Sequence, residues 1–91
     1  MTLTPFQLEL VEKYAGLLFK ISDIAMCIDE DPDELRDEIA NKTSEISKTY
    51  HKSKLQVIMK LRAQEIEQAE LGSNTAIELI TKYIEEQQLD E

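Results

Sequence analysis

Apolar residues in this chain recur mainly every three or four positions and no β-branched run alternates, a spacing that predicts helices and no strands. The first helix has a complete start: Thr4 as N-cap, Pro5 at the first helical position and Gln7 closing a capping box. Phe6, Leu10, Tyr14 and Leu17 follow at helical spacing, Leu8, Val11, Ala15 and Leu18 widen the stripe, and Gly16 weakens the helix near its end. A short second helix, capped by Ser22 or Asp23, buries Ile24, Ala25 and Ile28, and the acidic run Asp29 to Asp31 breaks it. Asp31 then caps a third helix, with Pro32 first and Glu34 third; Leu35, Ile39 and Ala40 are its expected apolar contacts, and Asn41 to Thr43 its stop.

From Ser44 the pattern runs unbroken to Gly72, the residue type that ends helices in the left-handed conformation. That predicts a helix of about 28 residues, roughly 40 Å long. It carries two apolar stripes, Ile46, Tyr50, Val57 and Leu61 on one side and Leu55, Ile58, Met59, Ile66 and Ala69 on nearly the opposite one. A helix with two apolar sides must be covered twice. A fifth helix, from Ser73 or Asn74 to about Gln88, presents Ala76, Ile77, Ile80, Tyr83 and Ile84, with Glu78, Glu85 and Glu86 opposite. The short Gly72–Asn74 connection folds helices four and five into an antiparallel hairpin. The expected architecture is all-α: a three-helix helix-turn-helix unit over residues 1–43, then a helical hairpin over 44–91 that serves oligomerisation.

Composition changes this picture in two places. The single cysteine, Cys27, excludes an internal disulfide and, lying in Ile-Ala-Met-Cys-Ile, reads as a buried small hydrophobe. No signal-peptide pattern and no membrane-spanning run is present, so a cytoplasmic protein is expected (host cytoplasm if viral), with no membrane partner. The net charge of −9 is sharply segregated. Residues 29–41 hold seven acids against Arg36, residues 42–62 six bases against Glu45, and residues 63–91 eight acids against Lys82.

The layout of helices two and three, joined by an acidic turn and supported by helix one, is that of a helix-turn-helix. Duplex affinity depends on neutralising phosphates, and Asp29, Glu30, Asp31, Asp33, Glu34, Asp37 and Glu38 surround the would-be recognition helix, so base reading by helix three is disfavoured. Asp29, Asp31 and Asp33 imitate the opening of a calcium loop, but Glu34 and Ala40 stand where that loop needs its glycine and its bidentate glutamate. The stretch that can meet phosphate holds Lys42, Lys48, His51, Lys52, Lys54, Lys60 and Arg62, with Tyr50 available for stacking if exposed. The plain alternatives are a solvated face or a docking surface for another copy's acidic end. No metal site, cofactor or small-molecule substrate is expected, and no nucleophile–base pair or phosphate loop appears, so the chain is not expected to be an enzyme.

Tyr50, Lys52, Lys54, Leu61, Arg62, Ala69, Gly72, Ser73, Ala76 and Leu79 form an aromatic-basic step, a "KLR" and an "A…GS…A…L" hairpin pattern. Following a helix-turn-helix, this resembles the small terminase subunits of phage DNA-packaging machines, with Ser53 in place of the usual glycine. The resemblance implies a viral DNA-packaging protein: a homo-oligomer, in ring form, that engages double-stranded DNA and contacts the terminase large subunit. Leu55, Ile58, Met59, Ile66, Ala69, Ile77, Ile80, Tyr83 and Ile84 are the expected oligomerisation residues. The competing reading is a helical adaptor or virion component that uses the same fold for protein contacts. A transcriptional regulator is a third, weakened by the acidity of helix three.

Overall fold

The computed structural model describes residues 1–90 and is all-helical over them, with α1 at Pro5–Gly16, α2 at Ile21–Cys27, α3 at Pro32–Ala40, α4 at Glu45–Glu70 and α5 at Asn74–Asp90. The chain divides into two compact units, Met1–Val57 and Ile58–Glu91. The first extends past the boundary at residue 43 because the opening turns of α4 belong to its core. None of the helices described is long and apolar enough to cross a membrane.

In the N-terminal unit, α1, α2 and α3 form the helix-turn-helix cluster. Its core is Val11, Ala15, Ile24, Ala25, Ile28, Leu35 and Ile39, closed by Leu3 ahead of α1 and by Ile46 and Tyr50 of α4. The capping box at Thr4 and Gln7 is complete: the Gln7 backbone N–H donates to Thr4 Oγ1 at 3.1 Å, and the Thr4 N–H donates to Gln7 Oε1 at 2.9 Å. Gln7 Nε2 then donates to the Ile28 carbonyl at 2.9 Å and to Glu30 Oε1 at 3.1 Å, tying the start of α1 to the turn between α2 and α3. Asp31 caps α3 as expected, accepting from the Glu34 N–H at 3.0 Å.

Three helices end in the same way. After α1, α2 and α4 the chain steps into the left-handed region, at Leu18 (φ 62°), Asp29 (φ 58°) and Gly72 (φ 94°). In each, the next residue's N–H reaches back over the last turn: Phe19 to Tyr14, Glu30 to Ala25 and Ser73 to Gln68, at 3.1, 2.9 and 3.1 Å. Glycine adopts that conformation freely and aspartate tolerates it, whereas leucine is strained there. At the strained end the Phe19 ring stacks on Tyr14, centroids 5.3 Å apart, the side-chain contact that accompanies this type of helix end.

The start of α4 closes the end of α3. Ser44 Oγ accepts from the Ser47 N–H at 3.0 Å and donates to the Glu38 carbonyl at 3.1 Å, while the fully buried Ser47 Oγ donates to the Ile39 carbonyl at 2.6 Å. The Ile39 carbonyl at the end of α3 is thereby satisfied, and the Glu38 carbonyl, which also accepts from the Asn41 N–H at 3.2 Å, gains a second donor. Buried Ser53 donates to the Glu12 carbonyl at 2.6 Å, binding α4 to α1; at the position where the resemblance has glycine, this chain uses the hydroxyl.

Several expectations about individual residues are corrected here. α1 turns Val11 and Ala15 inward, leaving Phe6, Leu17 and Leu18 exposed, because the contacting stripe is centred one residue away from the one read by spacing. The N-cap of α2 is Lys20, without a side-chain bond, and not Ser22 or Asp23. Cys27 is exposed, since α2 buries Ile24, Ala25 and Ile28 and Cys27 lies off that face. Ala40 is exposed at the last position of α3, and α5 continues past Gln88 to Asp90.

The C-terminal unit is an antiparallel hairpin made by the second half of α4 and by α5. Ser73 caps α5, accepting from the Ala76 N–H at 3.3 Å. The hairpin register is fixed by Arg62, whose guanidinium lies 4.2 Å from the Tyr83 ring centroid and whose Nη2 is 3.8 Å from Glu86 Oε2. Arg62 and Tyr83 are nearly equidistant from Gly72, as an antiparallel pair requires.

Candidate functional site

Of the basic residues singled out by sequence, Lys48, His51 and Lys52 of the N-terminal unit, three and four positions apart, share one side of α4, while Lys54 projects from another. In the N-terminal unit Lys42, Lys48 and Lys52 are exposed, while His51 and Lys54 are half-buried. Lys42 Nζ lies 3.3 Å from His51 Nε2, which binds two of the candidates to each other. Lys54 Nζ is 5.7 Å from the centroid of the Tyr50 ring, and His51 meets the same ring edge-on at 5.0 Å. Tyr50 itself is buried in the core, as its place on the apolar stripe of α4 implies, so the exposure that stacking on a base requires is not met. Lys52 borders a polar cleft of about 230 Å³ with Glu12, Thr49, Ser53 and Gln56, where the carboxylate of Glu12 works against anion binding.

In the C-terminal unit Lys60 is exposed and Arg62 is engaged by Glu86 and Tyr83. Of the seven candidates, Lys48 and Lys52 in the N-terminal unit and Lys60 in the other are exposed with no close side-chain partner shown. The acids of α3 face solvent: Asp33, Glu34 and Asp37 are exposed, and Arg36 is held by Asp33 at 2.9 Å. The surface a recognition helix would offer to DNA is therefore negative, with its one cation turned onto its own carboxylate. Among the described residues no group of three His, Cys, Asp or Glu is placed to hold a metal ion.

The oligomerisation candidates give a clearer geometry. Leu55, in the N-terminal unit, is exposed. In the hairpin the remaining residues sort into two sets. Ile58, Ala69, Ile80 and Tyr83 are half-buried, and Ala76 is buried, on the sides where α4 and α5 meet. Met59 and Ile66 on α4, and Ile77 and Ile84 on α5, are exposed at 68, 47, 45 and 50%. All four lie about a quarter turn from the contacting sides, and because the helices run antiparallel the two pairs fall on the same face of the hairpin. Ile66 and Ile84 come together with Ile80, Tyr83 and Arg62 around a groove of about 270 Å³. Helical spacing grouped these residues, but only the hairpin register divides them into an inner set and an outer face.

No protein-family model, no curated protein and no solved structure matches the chain.

Proposed function

We propose that this chain is a non-catalytic helical docking module that works through protein contacts. The observation that carries this reading is the hairpin: a two-helix unit in which, among the described residues, Ala76 alone is buried while Met59, Ile66, Ile77 and Ile84 form an open apolar face. Two amphipathic helices rarely stabilise themselves alone, and an apolar face of this kind marks a binding surface. The exposed acids of α3, the internal engagement of Arg62 and the burial of Tyr50 favour protein over nucleic acid as the partner. The test is electrophoretic retardation of duplex DNA by the full chain at low salt, where phosphate contacts are strongest. The expected result is no retardation; a shift removed by reversing Lys52 and Lys54 would overturn the reading.

The second reading is the packaging one, a small-terminase-like oligomer that engages DNA and a large subunit. Two observations favour it: a helix-turn-helix unit precedes a hairpin with an uncovered apolar face, and Lys48 and Lys52 stand exposed on α4. It requires a ring or other closed oligomer in sedimentation, together with the DNA shift.

A further inference from the structure

The border of the open hairpin face names the chemistry of what it takes. At about 100° per residue, Glu70 and then Glu67 follow Met59 and Ile66 around the outer side of α4. Glu78 and Glu85 hold the equivalent outer position beside Ile77 and Ile84 on α5. All four carboxylates are exposed, and none enters an ion pair shorter than 4.0 Å. Lys60 shares the α4 border, and exposed Lys82, four residues after Glu78 and three before Glu85, lies beside the α5 border. Between the borders the face is apolar or neutral apart from Arg62, whose charge is met by Glu86 at 3.8 Å. The unit as a whole carries −5, three bases against eight acids over Ile58–Glu91.

An apolar strip flanked on both long edges by carboxylates is complementary to an amphipathic helix flanked by lysines and arginines. A second copy of the hairpin is a poor occupant, because laying face on face would bring the glutamate borders of two −5 units together. The groove lined by Ile66, Ile80, Tyr83 and Ile84, together with Arg62 and Gln87, offers a seat for one bulky apolar side chain of the incoming helix.

We propose that the face formed by Met59, Ile66, Ile77 and Ile84 is a receptor surface for a basic amphipathic helix of a partner protein. This rests on the docking reading and specifies its partner. Apolar contact supplies the affinity; the glutamate borders orient the helix and select its charge.

The probe is a fluorescent synthetic helix of about 18 residues with a leucine stripe flanked by lysines, titrated into the full chain and followed by anisotropy. Saturable binding is expected, weakening as salt rises, and a matched peptide with glutamates in place of the lysines should bind at least about tenfold more weakly. Ile84→Asp should abolish binding. Since that change can also disturb the hairpin, the deciding variant is Glu78→Gln with Glu85→Gln, exposed positions outside the groove. It should keep its helical circular dichroism, weaken the lysine peptide roughly fivefold and leave a neutral-flanked peptide unchanged. Equal binding of the lysine and glutamate peptides, or no effect of the double glutamine variant, would overturn the proposal. So would a dimer in sedimentation that Ile84→Asp dissociates, since a second copy would then cover the face. Retardation of DNA sinks the docking reading itself; absence of both DNA and peptide binding removes this inference alone.

Discussion

The two units have the same local material, amphipathic helices with well-made ends, and differ in what covers them. In Met1–Val57 ten apolar residues from every helix converge on one core, and the two buried hydroxyls, Ser47 and Ser53, each donate to a backbone carbonyl at 2.6 Å. Among the described residues of Ile58–Glu91 only Ala76 is a buried apolar residue, and Met59, Ile66, Ile77 and Ile84 are exposed. Helix formation in both is a local matter of spacing and capping; stability comes from burial, which only the first unit achieves within its own chain. An uncovered element of this kind is where a binding surface belongs, because a partner supplies the missing burial.

The strongest way to break the contrast is amide hydrogen exchange. Amides of Val11 and Leu35 are expected to open only with global unfolding, at about 5 kcal/mol or more, whereas those of Ile80 and Ile84 open at about 1–2 kcal/mol. Equal protection across both units in the free chain would mean that the hairpin is covered. Next in size are truncations. Leu35→Ala, at a fully buried site, should cost roughly 3 kcal/mol in urea unfolding, and Ile77→Ala less than about 1 kcal/mol. A large cost at Ile77 would show that its face is already packed against another copy.

Removing the Ser47 hydroxyl sharpens the account of the first unit. Ser47→Ala leaves the Ile39 carbonyl without its buried donor and should cost about 2 kcal/mol, measured by the shift of the thermal midpoint. The smallest effects come from the helix ends. Leu18→Gly should stabilise the chain by about 1 kcal/mol by removing left-handed strain, and Gly72→Ala should destabilise the hairpin by a similar amount. The opposite signs of two glycine exchanges at equivalent helix ends make a paired control.

Much of the fold was legible because it is written locally. Thr4–Gln7, Asp31–Glu34, Ser44 and Ser73 are caps whose side chains bond within three residues, so neighbouring letters suffice to find them. The residues misread are those whose state depends on a distant partner. Phe6 and Cys27 have apolar sequence neighbours yet lie off the faces that α1 and α2 bury. Ser53 donates to a carbonyl far earlier in the chain, and Gln7 reaches to Glu30. The candidate site was half legible: spacing gathered the apolar residues of the hairpin, the bases of α4 and Tyr50 on an apolar stripe, but the division of the hairpin residues into an inner set and an open face could not be seen without the register.

The sequence by itself determined five helices, their caps, the hairpin turn at Gly72 and the segregation of charge, because each depends on residues within about one helical turn of one another. Tertiary structure alone decided which side of each helix is covered: that α4 spends its first turns completing a core, that Arg62 is drawn onto Tyr83 and Glu86, and that Met59, Ile66, Ile77 and Ile84 share one open face. Periodicity gives a helix its apolar side, but burial needs a second surface, and the identity of that surface is set by the fold.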